Sequence, residues 1–305
     1  MVRILRAGVI GAGVFGGHHA RQYAALEGVE LVGVFDPDGA RARELAEGLG
    51  ARAFKDAQAL TDAVDILTVA SPGATHKALA VAALEVSVHV YVEKPLATSL
   101  ADAEAIVDLA AAKNLVLASG HQERVVSQAM GLLGLPERPI LVEAIRRQPG
   151  PSRIVDVSCV LDLMIHDIDL ALTLNPSEVV GLSAGGRRAG GLLLEEARAE
   201  LTLADGARLT FEASRIAEAR ERRTRIVFPS GEVEIDFITR AFRNTTPFAL
   251  DPEFTSTPAG SNPLRASVAA FVAAVRGEAA RPAVTGREAA RALKWALAVE
   301  ASAGG

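Results

Sequence analysis

Ile4-Leu5-Arg6-Ala7-Gly8-Val9-Ile10-Gly11-Ala12-Gly13-Val14-Phe15-Gly16 is the stretch that decides the fold. Its first half is a short apolar run with little polar alternation, as expected of a strand covered on both faces. Its second half spaces three glycines as Gly11-x-Gly13-x-x-Gly16 in front of a helical stretch. At such a strand-to-helix junction the first glycine permits the tight turn. The second lets backbone amides approach a pyrophosphate, and the third allows close helix-to-strand packing. The helix N-terminus adds partial positive charge for the phosphates. Gly11, Gly13, Val14, Phe15 and Gly16 are therefore expected to hold a dinucleotide; a glycine-rich turn without ligand is the plainer alternative.

Working outward, apolar runs recur at Leu31 to Phe35, Ile66 to Ala70, His89 to Val92 and Leu115 to Ala118, with helical stretches such as Ala40 to Leu49 and Ala101 to Lys113 between them. That alternation predicts βαβ units feeding a parallel, doubly wound sheet over residues 1–120. Asp36 ends the second run about 20 residues beyond the last glycine, where a carboxylate accepts from the adenosine ribose and repels a 2′-phosphate. NAD is favoured over NADP on this ground, although Arg41 and Arg43 follow closely and a turn aspartate beside Pro37 fits the same position. Ser71, Thr75 and His76 follow the third run, at the carboxyl edge where ligands of such sheets bind, and so does Glu93-Lys94-Pro95 after the fourth. A structural loop and a solvated lysine compete with these readings.

Beyond about Gly120 the pattern changes. A helical stretch near Val126 to Leu133, a strand at Ile140 to Ile145 and an apolar helix over Val157 to Leu174 precede strand signals at 199–203, 208–213, 225–228 and 232–237. Turn chemistry at Asp205-Gly206 and Pro229-Ser230-Gly231 separates them. Val233, Ile235 and Phe237 alternate with Glu234 and Asp236, so one face is buried and the other polar. Residues 121–305 thus predict an α+β domain on a large, mainly antiparallel open sheet, closed by helices at Pro263 to Arg276 and Arg287 to Ala301.

The chain has 305 residues, 50% of them hydrophobic, enough for a core in each of two domains. Its net charge of -5, from 32 basic and 37 acidic residues well mixed, offers no broad positive field for nucleic acid. Cys159 stands alone, which excludes an internal disulfide and a cysteine-based zinc site and fits a reducing compartment. No window approaches the ~20 apolar residues of a membrane-spanning helix. A cytoplasmic protein with neither a nucleic-acid nor a membrane partner is expected.

Asp156, Asp162 and His166 complete the candidate chemistry. Asp162 and His166 are four apart on the apolar helix and so share one face. A buried histidine satisfied by its neighbour explains the pair equally well, and a metal site using Asp162, His166 and Asp169 is disfavoured by the scarcity of His and Cys. Together the glycine motif, Glu93-Lys94-Pro95 and the Asp156/Asp162/His166 spacing resemble the Gfo/Idh/MocA family of glucose-fructose oxidoreductases and inositol dehydrogenases, over nearly the whole chain.

The resemblance implies an NAD-dependent dehydrogenase acting on a secondary alcohol of a sugar, cyclitol or nucleotide sugar. It implies Lys94 and His166 flanking the substrate carbon, Asp162 orienting the hydroxyl or tuning His166, and Glu93 and Lys94 beside the cofactor. An imidazole is suited to taking the hydroxyl proton and an ammonium to stabilising the alkoxide. The segment Asp162 to Asp169, with Ser214-Arg215 and Arg220 to Phe237, looks like the branch assigned to UDP-N-acetylglucosamine 3-dehydrogenases. Arg124 and Arg153 are implied as substrate contacts, and Arg146, Arg147, Arg153, Arg215 and Arg222 have guanidinium forks that suit a diphosphate; a solvated charged face is the bland reading. In His121-Gln122-Glu123-Arg124 only Arg124 follows the family pattern. An NAD-dependent glycosidase working by transient oxidation and a non-catalytic dinucleotide or sugar sensor are the alternatives. An apolar open sheet face predicts a homodimer or homotetramer.

Overall fold

A computed structural model describes residues 3–150 and 156–304, in two compact units. The first comprises Met1–Gln122 and Asn262–Ala290, the second Glu123–Ser261 and Arg291–Gly305. In the first unit the strands are β1 (Leu5–Ile10), β2 (Val29–Phe35), β3 (Arg52–Ala53), β4 (Ile66–Val69), β5 (His89–Val92) and β6 (Leu117–Ser119). They alternate with α1 (Val14–Ala25), α2 (Gly39–Glu47), α3 (Ala57–Thr61), α4 (His76–Glu85) and α5 (Leu100–Ala112). All pairings are parallel and the order is β3-β2-β1-β4-β5-β6, the doubly wound order with its switch point between β1 and β4. Ser99 caps α5 by accepting from Asp102 N at 3.1 Å, as the capping-box spacing predicts. The two-residue β3 and the one-turn α3 are too short for a periodic signal and were not anticipated.

The second unit begins with α6 (Gln122–Ala129) and β7 (Leu141–Arg147). The expected continuous helix is two elements: a π-helical turn over Val160–Met164, then α7 (Ile165–Leu174). Ile165 N reaches back to Val160 O across that turn, which rotates the side chains before Ile165 relative to those after it. Strands β8 (Val179–Arg187), β9 (Glu196–Leu203), β10 (Arg208–Ser214), β11 (Glu221–Phe228), β12 (Gly231–Asp236) and β13 (Phe242–Asn244) follow, then α8 (Pro258–Ser261). The sheet order is β13-β12-β11-β7-β10-β9-β8, antiparallel except for the central β7–β10 pair. Val142, Ala144 and Arg146 of β7 and Thr224, Ile226 and Phe228 of β11 are buried on the covered face.

The opposite face corrects the expectation of an apolar surface. Its positions carry alternating charges: Arg147 donates to Glu212 at 2.7 Å and to Glu221 at 3.0 Å, and Arg225 to Glu143 at 2.7 Å and to Glu232 at 2.9 Å. Cross-strand pairs of opposite charge lie on this face, beside half-buried Leu141, Ile145 and Val227.

The chain then returns to the first unit through α9 (Pro263–Val275), and α10 (Gly286–Ala303) begins there and ends in the second. The domain read as 121–305 is therefore interrupted. Leu264, Val268, Phe271 and Val272 of α9 join Val9, Ala20, Tyr23 and Tyr91 in one core. Tyr91 packs edge-on against Phe271 and its hydroxyl lies 2.9 Å from Ser267 Oγ. An apolar face at helical spacing does not say which sheet it covers.

Candidate active site

The cofactor loop of the first unit is built by its glycines. Gly11 has φ +98°, a left-handed conformation strained for any side chain, and a Cβ there would meet Ala70 O at 2.5 Å. A Cβ on Gly16 would collide with Gly11 O at 1.7 Å, whereas one on Gly13 would meet nothing within 4 Å. The open space lies where a ligand backbone must pass. Gly13 caps α1 without a side-chain acceptor, and the first turn has no acidic residue, so its amides are left for an anion. Val14 and Phe15 expose 59% and 44% of their surface at this loop, unusual for large apolar groups. These residues fit an NAD pyrophosphate.

Asp36 braces the same loop. Its Oδ2 accepts from Ala12 N at 2.7 Å and its Oδ1 from Asp38 N at 2.8 Å. The carboxylate thus serves the turn. Ser71 donates to Thr75 Oγ1 at 2.7 Å, because Thr75 donates its own proton to Pro72 O. His76 is buried with its ring nitrogens 2.7 Å from Pro95 O and 2.8 Å from Ser71 O, tying the loop after β4 to the loop after β5. Lys94 follows β5, half-buried, ahead of Pro95.

Behind Lys94 runs a buried polar chain that the sequence reading missed. His19 Nε2 lies 2.7 Å from Glu93 Oε1, His19 Nδ1 lies 3.4 Å from Thr68 Oγ1, and Tyr23 OH lies 2.8 Å from that oxygen. Burial pushes the Tyr23 phenol well above its ordinary value, against the Thr68 hydrogen bond. Gly120 leaves room for Glu93: a Cβ there would meet its carboxylate at 2.6 Å. The helix that carries the cofactor loop is thereby pinned to the residue before Lys94. The only advance signal was a histidine one helical turn before Tyr23 on the buried side of α1.

In the second unit His166 has a carboxylate neighbour that spacing along the helix did not point to. His166 Nδ1 stands 2.9 Å from Glu123 Oε2 on α6. Glu123 also accepts from Arg146 Nη1 at 2.7 Å, and Arg146 grips Asp167 through Nε at 3.0 Å and Nη2 at 2.8 Å. Burial alone would raise the Glu123 carboxyl; the pull of Arg146, then of His166, outweighs it and holds Glu123 well below the usual carboxylate range. Burial likewise opposes the Arg146 charge, but Asp167 and Glu123 prevail and raise it further. Asp162 lies on the π-helical turn, buried, 3.9 Å from Arg215 Nη1. The helical period there differs from the four-residue spacing on which its pairing with His166 was read.

The expected substrate arginines separate. Arg124 is buried and bidentate to Asp169, donating through Nε at 3.1 Å and through Nη2. Arg215 donates to Glu195 through Nε at 2.9 Å and Nη2 at 2.8 Å, and to Val157 O at 2.8 Å. Arg147 belongs to the open face. Arg153 lies outside the described residues. Among the described residues no three His, Cys, Asp or Glu side chains are grouped to hold a metal ion, and no helix is long and apolar enough to cross a membrane.

The chain belongs to the Gfo/Idh/MocA oxidoreductase family: the family's NAD-binding Rossmann fold matches residues 5–121 and its C-terminal domain residues 138–234. It is an NAD-dependent oxidoreductase that moves hydride to or from a secondary alcohol of a sugar, cyclitol or nucleotide sugar. Among its relatives, the UDP-N-acetylglucosamine 3-dehydrogenase of Acidithiobacillus ferrooxidans is 38% identical over 77% of this chain and 74% of that protein. A myo-inositol 2-dehydrogenase of Thermotoga maritima is 30% identical over 60% of this chain and 58% of that one. The solved structure of UDP-N-acetylglucosamine 3-dehydrogenase GnnA from A. ferrooxidans aligns with TM-score 0.90 at 33% identity, over 100% of this chain and 99% of that one.

Proposed function

We propose that the chain oxidises the C3 hydroxyl of a UDP-N-acetylhexosamine, with His166 as base and Lys94 as electrostatic partner. The observation that carries the proton chemistry is the 2.9 Å approach of Glu123 to His166 Nδ1. A carboxylate this near one ring nitrogen favours a proton there and leaves proton exchange to the other, here Nε2. Glu123 keeps its charge because Arg146 holds it low, so the orienting anion persists across the working pH range. His166 takes the hydroxyl proton, and the Lys94 ammonium stabilises the negative charge that develops on that oxygen. Bound NAD supplies the acceptor for the hydride. Gly11, Gly13, Val14, Phe15 and Gly16 hold the pyrophosphate half, and Asp36 the ribose hydroxyls, at the cost of NADP affinity. Ser71, Thr75, His76 and Glu93 shape the nicotinamide end. Asp162 and Arg124 contribute to substrate binding, the role proposed for Arg153 as well. The substrate assignment is supported by the 38% identical relative.

We place the enzyme in the cytoplasm, since Cys159 is a lone thiol pushed up to about 12 by burial and unsuited to disulfide exchange. A homodimer or homotetramer remains part of the reading, with the charged open face as its contact through complementary ion pairs. Absorbance at the NADH wavelength tests the function: NAD reduction with UDP-N-acetylglucosamine is expected. Cleavage of a glycoside without net NADH would move the enzyme to the glycosidase class, and binding without turnover to a sensor.

A further inference from the structure

Of the five arginines whose guanidinium forks suit an oxyanion, three are held by partners. Arg146 is held by Glu123 and Asp167, Arg147 by Glu212 and Glu221, and Arg215 by Glu195 and Val157 O, while Arg153 is outside the described residues. Arg222 differs. It sits on β11 directly opposite Arg146 of β7, on the covered face, so the two Cβ atoms are about 5 Å apart. It is half-buried, and among the described residues no acceptor stands within hydrogen-bond distance of its guanidinium.

Its surroundings explain why this is costly. Glu123 and Asp167 both face it and favour its charge, but their oxygens are engaged by Arg146 and His166. Burial first, then the like charge of Arg146, lower the Arg222 pKa in spite of them, and exposed Arg220 adds to the repulsion. A guanidinium carries five N–H donors and no acceptor of its own. Half-buried and without a protein acceptor among the described residues, this one is left to solvent, and an oxyanion would give it a stronger, charge-assisted pair.

We propose that Arg222 binds an anionic oxygen of the substrate, a phosphate or a carboxylate, beside the His166–Glu123–Arg146 cluster. The inference rests on the dehydrogenase reading above and deepens it: the substrate is a charged sugar derivative, and a neutral cyclitol lacks the group that Arg222 requires. Arg222 is thus a specificity-determining residue.

The test loads the parent, Arg222→Gln and Arg222→Lys with NADH and titrates each calorimetrically with UDP, UDP-N-acetylglucosamine, glucuronate and myo-inositol. Arg222→Gln should weaken the anionic ligands about 10- to 100-fold, the range of a charge-assisted hydrogen-bond pair. Arg222→Lys should recover part of the loss, and neither should change NADH affinity, which also certifies folding. Loss confined to UDP and UDP-N-acetylglucosamine assigns Arg222 to phosphate; loss confined to glucuronate assigns it to carboxylate. The proposal is overturned if Arg222→Gln binds all three anions as tightly as the parent, or if the parent binds none of them. Failure of the parent to reduce NAD with any sugar, while UDP binding still depends on Arg222, would instead remove the dehydrogenase reading and leave the anion site standing.

Discussion

Arg146 and Arg147 are neighbours on one strand, and the half-turn between them separates two kinds of electrostatics. Arg146 points to the covered face, where its side chain is 3% exposed and fixed by Glu123 and Asp167. Arg147 points to the open face, is 33% exposed, and shares Glu212 with Arg198 and Glu221 with Arg223. On the open face the paired ions are within reach of water, and Arg147, Glu212, Glu221, Arg225 and Glu232 each have a second partner, so removing one leaves little uncompensated. On the covered face Arg146, Glu123 and Asp167 are desolvated and satisfy one another in one arrangement, so removing one strands its partners. The proposed catalytic cluster lies on the face where charges are hard to replace, which is what holding an imidazole in one orientation requires.

The largest expected effect belongs to the chemistry on the covered face. His166→Ala, and Lys94→Ala in the first unit, should retain NADH affinity yet lose roughly two to four orders of magnitude in kcat, the range for positioned acid–base groups. Turnover like that of the parent in both would break the site assignment. Next, Arg146→Ala should destabilise by about 3–5 kcal/mol in chemical denaturation, because Glu123 and Asp167 would be left buried and unpaired. Glu123→Gln should also lower stability at pH 7. Because the folded-state carboxyl is depressed, its contribution is present above the ordinary glutamate value of about 4.3 and fades as pH falls through the lower folded value. The gap between parent and variant should therefore narrow in denaturation series run below pH ~4. The smallest effect is Arg147→Ala, at most about 1 kcal/mol and less at high salt; a loss matching that of Arg146→Ala would erase the distinction between the faces.

What could be read in advance follows the same divide. The glycine loop, Asp36 and the parallel order are local matters: a turn needing Gly11 at positive φ, and a strand feeding a helix, are written within a few residues. The strands that face water on one side announced themselves by alternation, as at Val233 and Ile235. The His166 cluster is non-local. Its members come from α6, β7, α7 and β11, and no spacing along the chain distinguishes Glu123 from Asp162 as the carboxylate nearest Nδ1. The π-helical turn was hidden because an apolar run satisfies either helical period. The fate of α9 was hidden because a buried stripe names no partner.

The account rests on Glu123 as the carboxylate that sets His166. The kcat of sugar oxidation at saturating NAD, compared among the parent, Glu123→Gln and Asp162→Asn, tests it most directly. Loss of the orienting carboxylate should lower kcat about 10- to 100-fold in Glu123→Gln, and by less in Asp162→Asn. A kcat unchanged in Glu123→Gln but lowered in Asp162→Asn would return the role to Asp162 and contradict the account.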